Sequence, residues 1–310
     1  MKKAIILACN VSEVDNQAKQ NLEKAGFDVK EYPVERKYTP EELVEILRDA
    51  DAVIAGLEKY TREVLEQLPR LKLIARRGVG IDNIDLTAAN EHHITVTRTE
   101  GYVGPAVAEL IMAYILDHAR QLSFHNEIMK NGNWSRILTE GVKGKSLGLV
   151  GFGSISKETA VRAHAFGMNL LCYYRHRDLD IEEQYHAMYT DFDTLISTSD
   201  YIAINVPMTE ATKNMFHAAV FQSMKPSSVL INTARGGIVH TADLANALKN
   251  GQISAAYIDV FDQEPCTSSP LHSCNNALLT PHIGTFTRDT FISMNNRCAE
   301  QIIEFFNDTV

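Results

Sequence analysis

Short apolar runs and longer amphipathic stretches alternate along this chain from the first residues to the last. In the first hundred residues the runs at 4–8 and 52–55 are continuous in Ala, Val, Ile and Leu, 71–75 is apolar but for Lys72, and 29–32 offers a further extended segment. Apolar runs of this length without polar alternation suit strands buried on both faces. Between them, 18–25 has helical spacing and stops at Gly26. The sequence Thr39-Pro40-Glu41-Glu42 carries an N-cap, a proline at the first helical position and the glutamate of a capping box. The pattern resumes at 146–150, 170–173, 201–206, 229–232, 256–260 and 277–279, with helical segments between, such as 242–249 before Gly251. Strands alternating with helices predict an α/β fold of doubly wound parallel sheets.

Two segments break the rhythm. Residues 105–130 read as one long helix ended by Asn131-Gly132, its first half apolar nearly all round, which fits a core helix or a subunit contact equally. Residues 288–307 form a terminal helix that needs a partner and is expected to return to the first half of the chain. A length of 310 residues with 45% hydrophobic content suits two domains with sizeable cores. Thirty basic against thirty-nine acidic residues give a net charge of -9, which disfavours nucleic acid and anionic membranes as partners. The five cysteines, Cys9, Cys172, Cys266, Cys274 and Cys298, are odd in number and widely spaced, with no C-x-x-C pair. They read as reduced thiols of a cytoplasmic protein, with no metal site. The N-terminal apolar run is too short for a signal peptide or a membrane span and is expected to be the first strand.

Chemistry concentrates after the strands of the second half. Arg235 in T-A-R-G-G, Glu264 in D-V-F-D-Q-E-P and His282 in T-P-H-I-G-T each follow an apolar run. Ligands of open α/β sheets bind beyond the carboxyl ends of the strands, so a cation, a carboxylate and an imidazole are expected in one crevice. Such a set can hold a substrate carboxylate and move a proton. Upstream, 147–150 leads into Gly151-Phe152-Gly153-Ser154-Ile155-Ser156 and then a helix. Gly151 permits the tight turn, and Gly153 permits backbone N–H groups to approach a pyrophosphate at a helix N-terminus. Ser156 holds the place of the third glycine. The next strand ends in Tyr174-Arg175-His176-Arg177 without the carboxylate that would read the ribose of NAD. Guanidinium groups there suit a 2′-phosphate, so NADP(H) is favoured over NAD(H), with a solvated loop as the plain alternative.

With these motifs in order, the chain resembles the D-isomer-specific 2-hydroxyacid dehydrogenases almost end to end, through R-R-G-V-G-I-D-N-I-D at 76–85, A-V-A-E at 106–109, G-x-G, T-A-R-G-G, D-V-F-D-Q-E-P and P-H-I-G. The resemblance implies a Rossmann dinucleotide-binding domain at 100–284 and a discontinuous, flavodoxin-like substrate domain from 1–99 and 285–310, in a homodimer through the 105–130 region. It implies that Arg235 holds the substrate carboxylate and keto oxygen, that His282 carries the proton, and that Glu264 pairs with His282. Arg76, Val79 and Gly80 would face the substrate, the last two through backbone N–H groups. Ser154, Ile155, Val206, Pro207, Thr212, Thr233, Ala234, Asp259 and Gly284 would line the cofactor beside Gly151, Gly153, Tyr174, Arg175 and Arg177. The chain departs from the pattern at Ser154, where many relatives carry arginine, at Ser156 for glycine, at Asn205, often histidine, and at His240, where acid is common. The expected activity is NADPH-dependent reduction of a small 2-keto acid such as glyoxylate or hydroxypyruvate. The alternatives are an NAD-dependent dehydrogenase of phosphoglycerate type and a dinucleotide-sensing corepressor.

Overall fold

A computed structural model describes residues 1–7, 14–32 and 38–308; Cys9 and the end of the 4–8 run lie outside the described residues. The chain divides into two compact units, Met1–Val103 with Phe286–Val310, and Gly104–Thr285.

The first unit is built on five parallel strands, β1 (Lys2–Ile6), β2 (Phe27–Glu31), β3 (Ala52–Ala55), β4 (Leu73–Arg76) and β5 (Thr95–Arg98), in the order β2-β1-β3-β4-β5. This is the flavodoxin-like order. β3 and β4 are buried at every residue, which is why their apolar runs stand out in the sequence. β5 does not: it is an edge strand of Thr, Val, Thr and Arg with no fully buried residue, so neither composition nor alternation announces it. The capping box forms as expected, with Thr39 Oγ1 accepting from Glu42 N at 3.3 Å and Glu42 Oε2 accepting from Thr39 N at 2.9 Å. The terminal helix Arg288–Asn307 does find its partner here. Cys298, Ala299, Ile302 and Phe306 close one core with Ala4, Ile6, Ile54, Leu73 and Ala75.

The second unit holds seven parallel strands: β6 (Ser146–Val150), β7 (Asn169–Tyr173), β8 (Ala187–Tyr189), β9 (Tyr201–Ile204), β10 (Val229–Asn232), β11 (Ala255–Ile258) and β12 (Ala277–Leu279), ordered β12-β11-β10-β9-β6-β7-β8. It is the dinucleotide-fold order with one strand added at the far edge, and it reverses between β6 and β9. The short edge strand β8 gave no sequence signal. The proposed strand ends at Val206 and Val260 extend too far. The ladders stop at Ile204 and Ile258, leaving Asn205 and Asp259 as the first residues past the sheet.

The single helix expected at 105–130 is corrected to two. Gly104–Arg120 and Leu122–Lys130 are separated by Gln121, which adopts φ 50°, ψ 42°. No glycine or proline marks the break, and a left-handed glutamine is not readable from spacing. Gly104–Arg120 is a core helix, with Val107, Ile111, Tyr114 and Ile115 inside the second unit, whereas Leu122–Lys130 buries none of its residues. Among the described residues no helix is long and apolar enough to cross a membrane.

Candidate active site

Parallel pairing in register brings three strand ends level. Asn232 of β10 aligns with Ile258 of β11, and Ile258 aligns with Leu279 of β12. Neighbouring strands lie about 4.8 Å apart, so the loops carrying Arg235, Glu264 and His282 start within two such spacings of one another. All three residues belong to the second unit.

Local backbone chemistry then sets each loop. The Asn232 amide closes the turn after β10: its Nδ2 donates to Arg235 O at 2.9 Å, and its Oδ1 accepts from Ala234 N at 3.1 Å. Arg235 is half-buried in extended backbone, and its Nη1 donates to Ala234 O at 2.8 Å. Next to it, Gly236 lies flat against the following loop. A Cβ at Gly236 would stand 2.0 Å from the Phe261 carbonyl carbon and 2.3 Å from Asp262 N. The glycine of T-A-R-G-G is therefore required so that the arginine loop and the loop leading to Glu264 can touch backbone to backbone.

Glu264 reaches in two directions. Its Oε1 accepts from Phe261 N at 3.1 Å, and its Oε2 lies 2.8 Å from His282 Nδ1. An ionised carboxylate only accepts, so Nδ1–H donates to Glu264, and Nε2 is the ring nitrogen that Glu264 does not engage. His282 has φ 55°, an uncommon conformation for a residue with a Cβ. Asp259 holds it there. Its carbonyl accepts from His282 N at 2.8 Å, its Oδ1 from Ile283 N at 2.7 Å and its Oδ2 from Gly284 N at 2.8 Å. Asp259 is fully buried, and that burial pushes its carboxyl above the usual range against the pull of Thr280, Ile283 and Gly284 as donors.

The glycine turn follows β6. Gly151 has φ 92°, and a Cβ there would lie 2.7 Å from Asn205 O. Gly153 caps the helix Ser154–Ala165; Gly153 and Ser154 are exposed, while Ile155 packs on the core. Two of the noted departures meet in space: Ser156 Oγ donates to Gly151 O at 2.5 Å and accepts from Asn205 Nδ2 at 2.9 Å. The serine and the asparagine thus tie the glycine turn to the end of β9, a pairing across 49 positions that the linear sequence does not reveal. Val206 and Pro207 continue from there, and Thr212 Oγ1 donates to Pro207 O at 2.6 Å, folding that loop back. Thr233 and Ala234 lie in the turn before Arg235.

After β7, Tyr174 stacks on Phe152 with ring centroids 5.6 Å apart, and its hydroxyl donates to Asp178 O at 3.1 Å and accepts from Asp178 N at 2.9 Å. Arg175 is exposed. Arg177 already grips Glu182 through both ends of its fork, at 2.7 and 3.1 Å. In the first unit, Arg76 is the last residue of β4 and is buried, its Nη1 donating to the Arg77 carbonyl and lying against Gly78. Burial raises the Glu58 carboxyl beside it, and Gly56 N, Arg76 and Arg77 oppose that rise. Val79 and Gly80 are half-buried in the loop that follows.

Gly236→Ala forces the two loops apart, and overpacking of this kind costs about 1–3 kcal/mol or more. Gly153→Ala, with open space around the glycine, is expected to change stability by less than about 0.5 kcal/mol. Denaturant unfolding of both variants checks this; equal midpoints would remove the backbone-contact explanation of T-A-R-G-G.

Comparison with known proteins matches this geometry. Residues 112–284 match the family described as D-isomer specific 2-hydroxyacid dehydrogenase, NAD binding domain. The glyoxylate reductase of Thermococcus litoralis is 39% identical over 85% of this chain and 82% of its own length. The hydroxypyruvate reductase of Thermotoga maritima is 37% identical over 85% of this chain and 87% of its own. The crystal structure of D-lactate dehydrogenase from Aquifex aeolicus, complexed with NAD and lactic acid, superposes with a TM-score of 0.86 at 28% identity, covering 99% of this chain and 96% of that one. With its two parallel-sheet α/β units and this site, the chain belongs to the D-isomer-specific 2-hydroxyacid dehydrogenases, oxidoreductases that pass hydride between a nicotinamide cofactor and a 2-keto or 2-hydroxy acid.

Proposed function

We propose that the protein reduces a small 2-keto acid of the glyoxylate or hydroxypyruvate type with NADPH. Residues 1–99 and 285–310 would form the substrate domain, and 100–284 the cofactor domain. The observation that carries the reading is the Glu264–His282 pair, held at the strand ends that also present Arg235. The residues present fit a dinucleotide. A left-handed Gly151 pressed on Asn205 and an exposed Gly153 at a helix start make the cradle. Buried Thr233 Oγ1 and Asn205 Oδ1 have no hydrogen-bond partner among the described residues.

The mechanism follows from the side chains. Arg235 presents a planar fork to the substrate carboxylate. A bound nicotinamide supplies the hydride. As negative charge grows on the carbonyl oxygen, His282 gives its Nε2 proton to that oxygen, and Glu264 stabilises the ring while it is cationic. In oxidation the same nitrogen takes the proton back.

For the cofactor, Tyr174 stands where a ribose-reading carboxylate would repel a 2′-phosphate. Of the two arginines, Arg177 is engaged by Glu182, so the phosphate contact falls to exposed Arg175. We also place a homodimer contact on the helix Leu122–Lys130 and the segment after it, where Leu122, Phe124, Met129, Trp134 and Leu138 are exposed, the last two at 82% and 100%. An apolar surface of this kind fits an interface between copies. Cys172, Cys266, Cys274 and Cys298 are free thiols, which suits the cytoplasm.

His282→Asn is expected to lower turnover about 10²- to 10⁴-fold with cofactor binding kept; near-parent turnover on glyoxylate or hydroxypyruvate would refute the proton assignment. The parent is expected to favour NADPH over NADH by at least about tenfold in kcat/KM, the worth of one hydrogen bond to a charged group. Arg175→Ala should erase most of that preference while Arg177→Ala leaves it nearly unchanged; equal use of both cofactors by the parent contradicts the phosphate reading. Light scattering should give a dimer mass for the parent and a monomer mass for Trp134→Glu with Leu138→Glu, and a monomeric parent would exclude the contact.

A further inference from the structure

A line of hydroxyls runs from the core helix to the turn that carries His282. We propose that Tyr114 and Thr280 are positioning residues for the reaction, acting through Asp259 on the backbone that aims the His282 ring. The inference rests on the reading of His282 as the proton carrier.

Tyr114 lies on the helix Gly104–Arg120 and is 4% exposed. Its hydroxyl makes a short contact with Thr280 Oγ1, and Thr280 Oγ1 lies 2.5 Å from Asp259 Oδ1. While Asp259 is ionised, the direction of these bonds is set. A carboxylate only accepts, so the single Thr280 proton goes to Asp259, and the Tyr114 hydroxyl must donate to Thr280. Beyond Asp259 the chain continues into the amides of Ile283 at 2.7 Å and Gly284 at 2.8 Å, and the Asp259 carbonyl holds His282 N at 2.8 Å. The turn is closed from the same helix as well. A Cβ at Gly284 would lie 3.2 Å from Asp259 Oδ2 and 3.4 Å from Val107 Cγ2. His282 thus keeps a left-handed backbone that its Cβ disfavours, because the carboxylate grips both residues after it.

The ionisation of Asp259 decides how firmly. The groups that face it are Tyr114 from the helix, Thr280 and His282 from the strand end, and the two amides. Tyr257, whose ring packs on Tyr114 at 5.2 Å, gives its own hydroxyl to Asp117 and is not part of the line. Burial favours the neutral acid, and the donors oppose it. Each donor lost raises the carboxyl further, so Asp259 becomes protonated at a higher pH. A protonated acid is a weaker acceptor for Ile283 and Gly284, and the hold on His282 loosens. Activity that needs the carboxylate is lost as pH falls through this pKa, so the acid limb of the pH profile moves upward when a donor is removed.

The experiment uses the full-length protein and the variants Tyr114→Phe, Thr280→Val and Thr280→Ser. Hydrogen exchange of the cofactor-free protein is read over 280–285, and kcat/KM for the keto acid is read against pH. Thr280→Val is expected to speed exchange in this segment, lower kcat/KM about tenfold and move the acid limb upward, with Tyr114→Phe smaller at about threefold in the same direction. Thr280→Ser keeps the hydroxyl and should follow the parent. Parent-like exchange over 280–285 in Thr280→Val overturns the proposal, as does an unmoved acid limb in an active Thr280→Val. If the parent reduces no keto acid, the functional reading fails, and the exchange measurement alone decides this one.

Discussion

A carboxylate with no exposed surface, Asp259, fixes the end of β11 to the turn after β12. Its grip on Ile283 and Gly284 opposes the intrinsic preference of His282 for other backbone conformations. The ring faces Glu264, which is itself held by the amide of Phe261. The same stretch, 261–262, is what Gly236 touches through bare backbone. A buried acid, a glycine contact and one imidazole–carboxylate bond thus link three loops into one rigid set. The level strand ends of β10, β11 and β12 supply the frame.

The electrostatics of the chain are local. A net charge of -9 offers no global attraction for an anionic substrate. Cationic groups are instead placed singly, and several are already paired: Arg177 on Glu182, and Arg162 on Glu158. That leaves position, not total charge, to define which arginines serve a ligand. Arg235 lies at a strand end and Arg175 on an exposed loop, while Arg76 lies buried at the end of β4 against the backbone of 77–78.

Much of this was legible in the sequence because fully buried parallel strands leave continuous apolar runs. β3, β6 and β10 fall where the runs predict them, and the half-buried edge strand β12 is marked by its own short Ala-Leu-Leu run. Edge strands β5 and β8 were not legible, since half-exposed strands need no such run. The kink at Gln121 was hidden because a glutamine in left-handed backbone carries no compositional mark. At the site, strand-end placement points to Arg235, Glu264 and His282, but the contacts around them are invisible in the sequence. Asn232, Gly236 and the Ser156–Asn205 bond act across the fold or through backbone approach. Arg177 reads in the sequence as a cation for a 2′-phosphate, because a partner five positions on in a separate helix leaves no local mark. Its partner is Glu182, on the helix that follows.

The coupling between Glu264 and His282 is the most direct point of attack. If Glu264 acts only by orienting the imidazole and stabilising its cation, removing the carboxylate matters only while the ring is present. Turnover of Glu264→Gln, His282→Asn and the double variant forms a cycle that reads this coupling. The expected result is a double variant no slower than His282→Asn alone. Losses that multiply, with the double variant slower by the product of both single effects, would show that the two residues act independently and contradict the paired site.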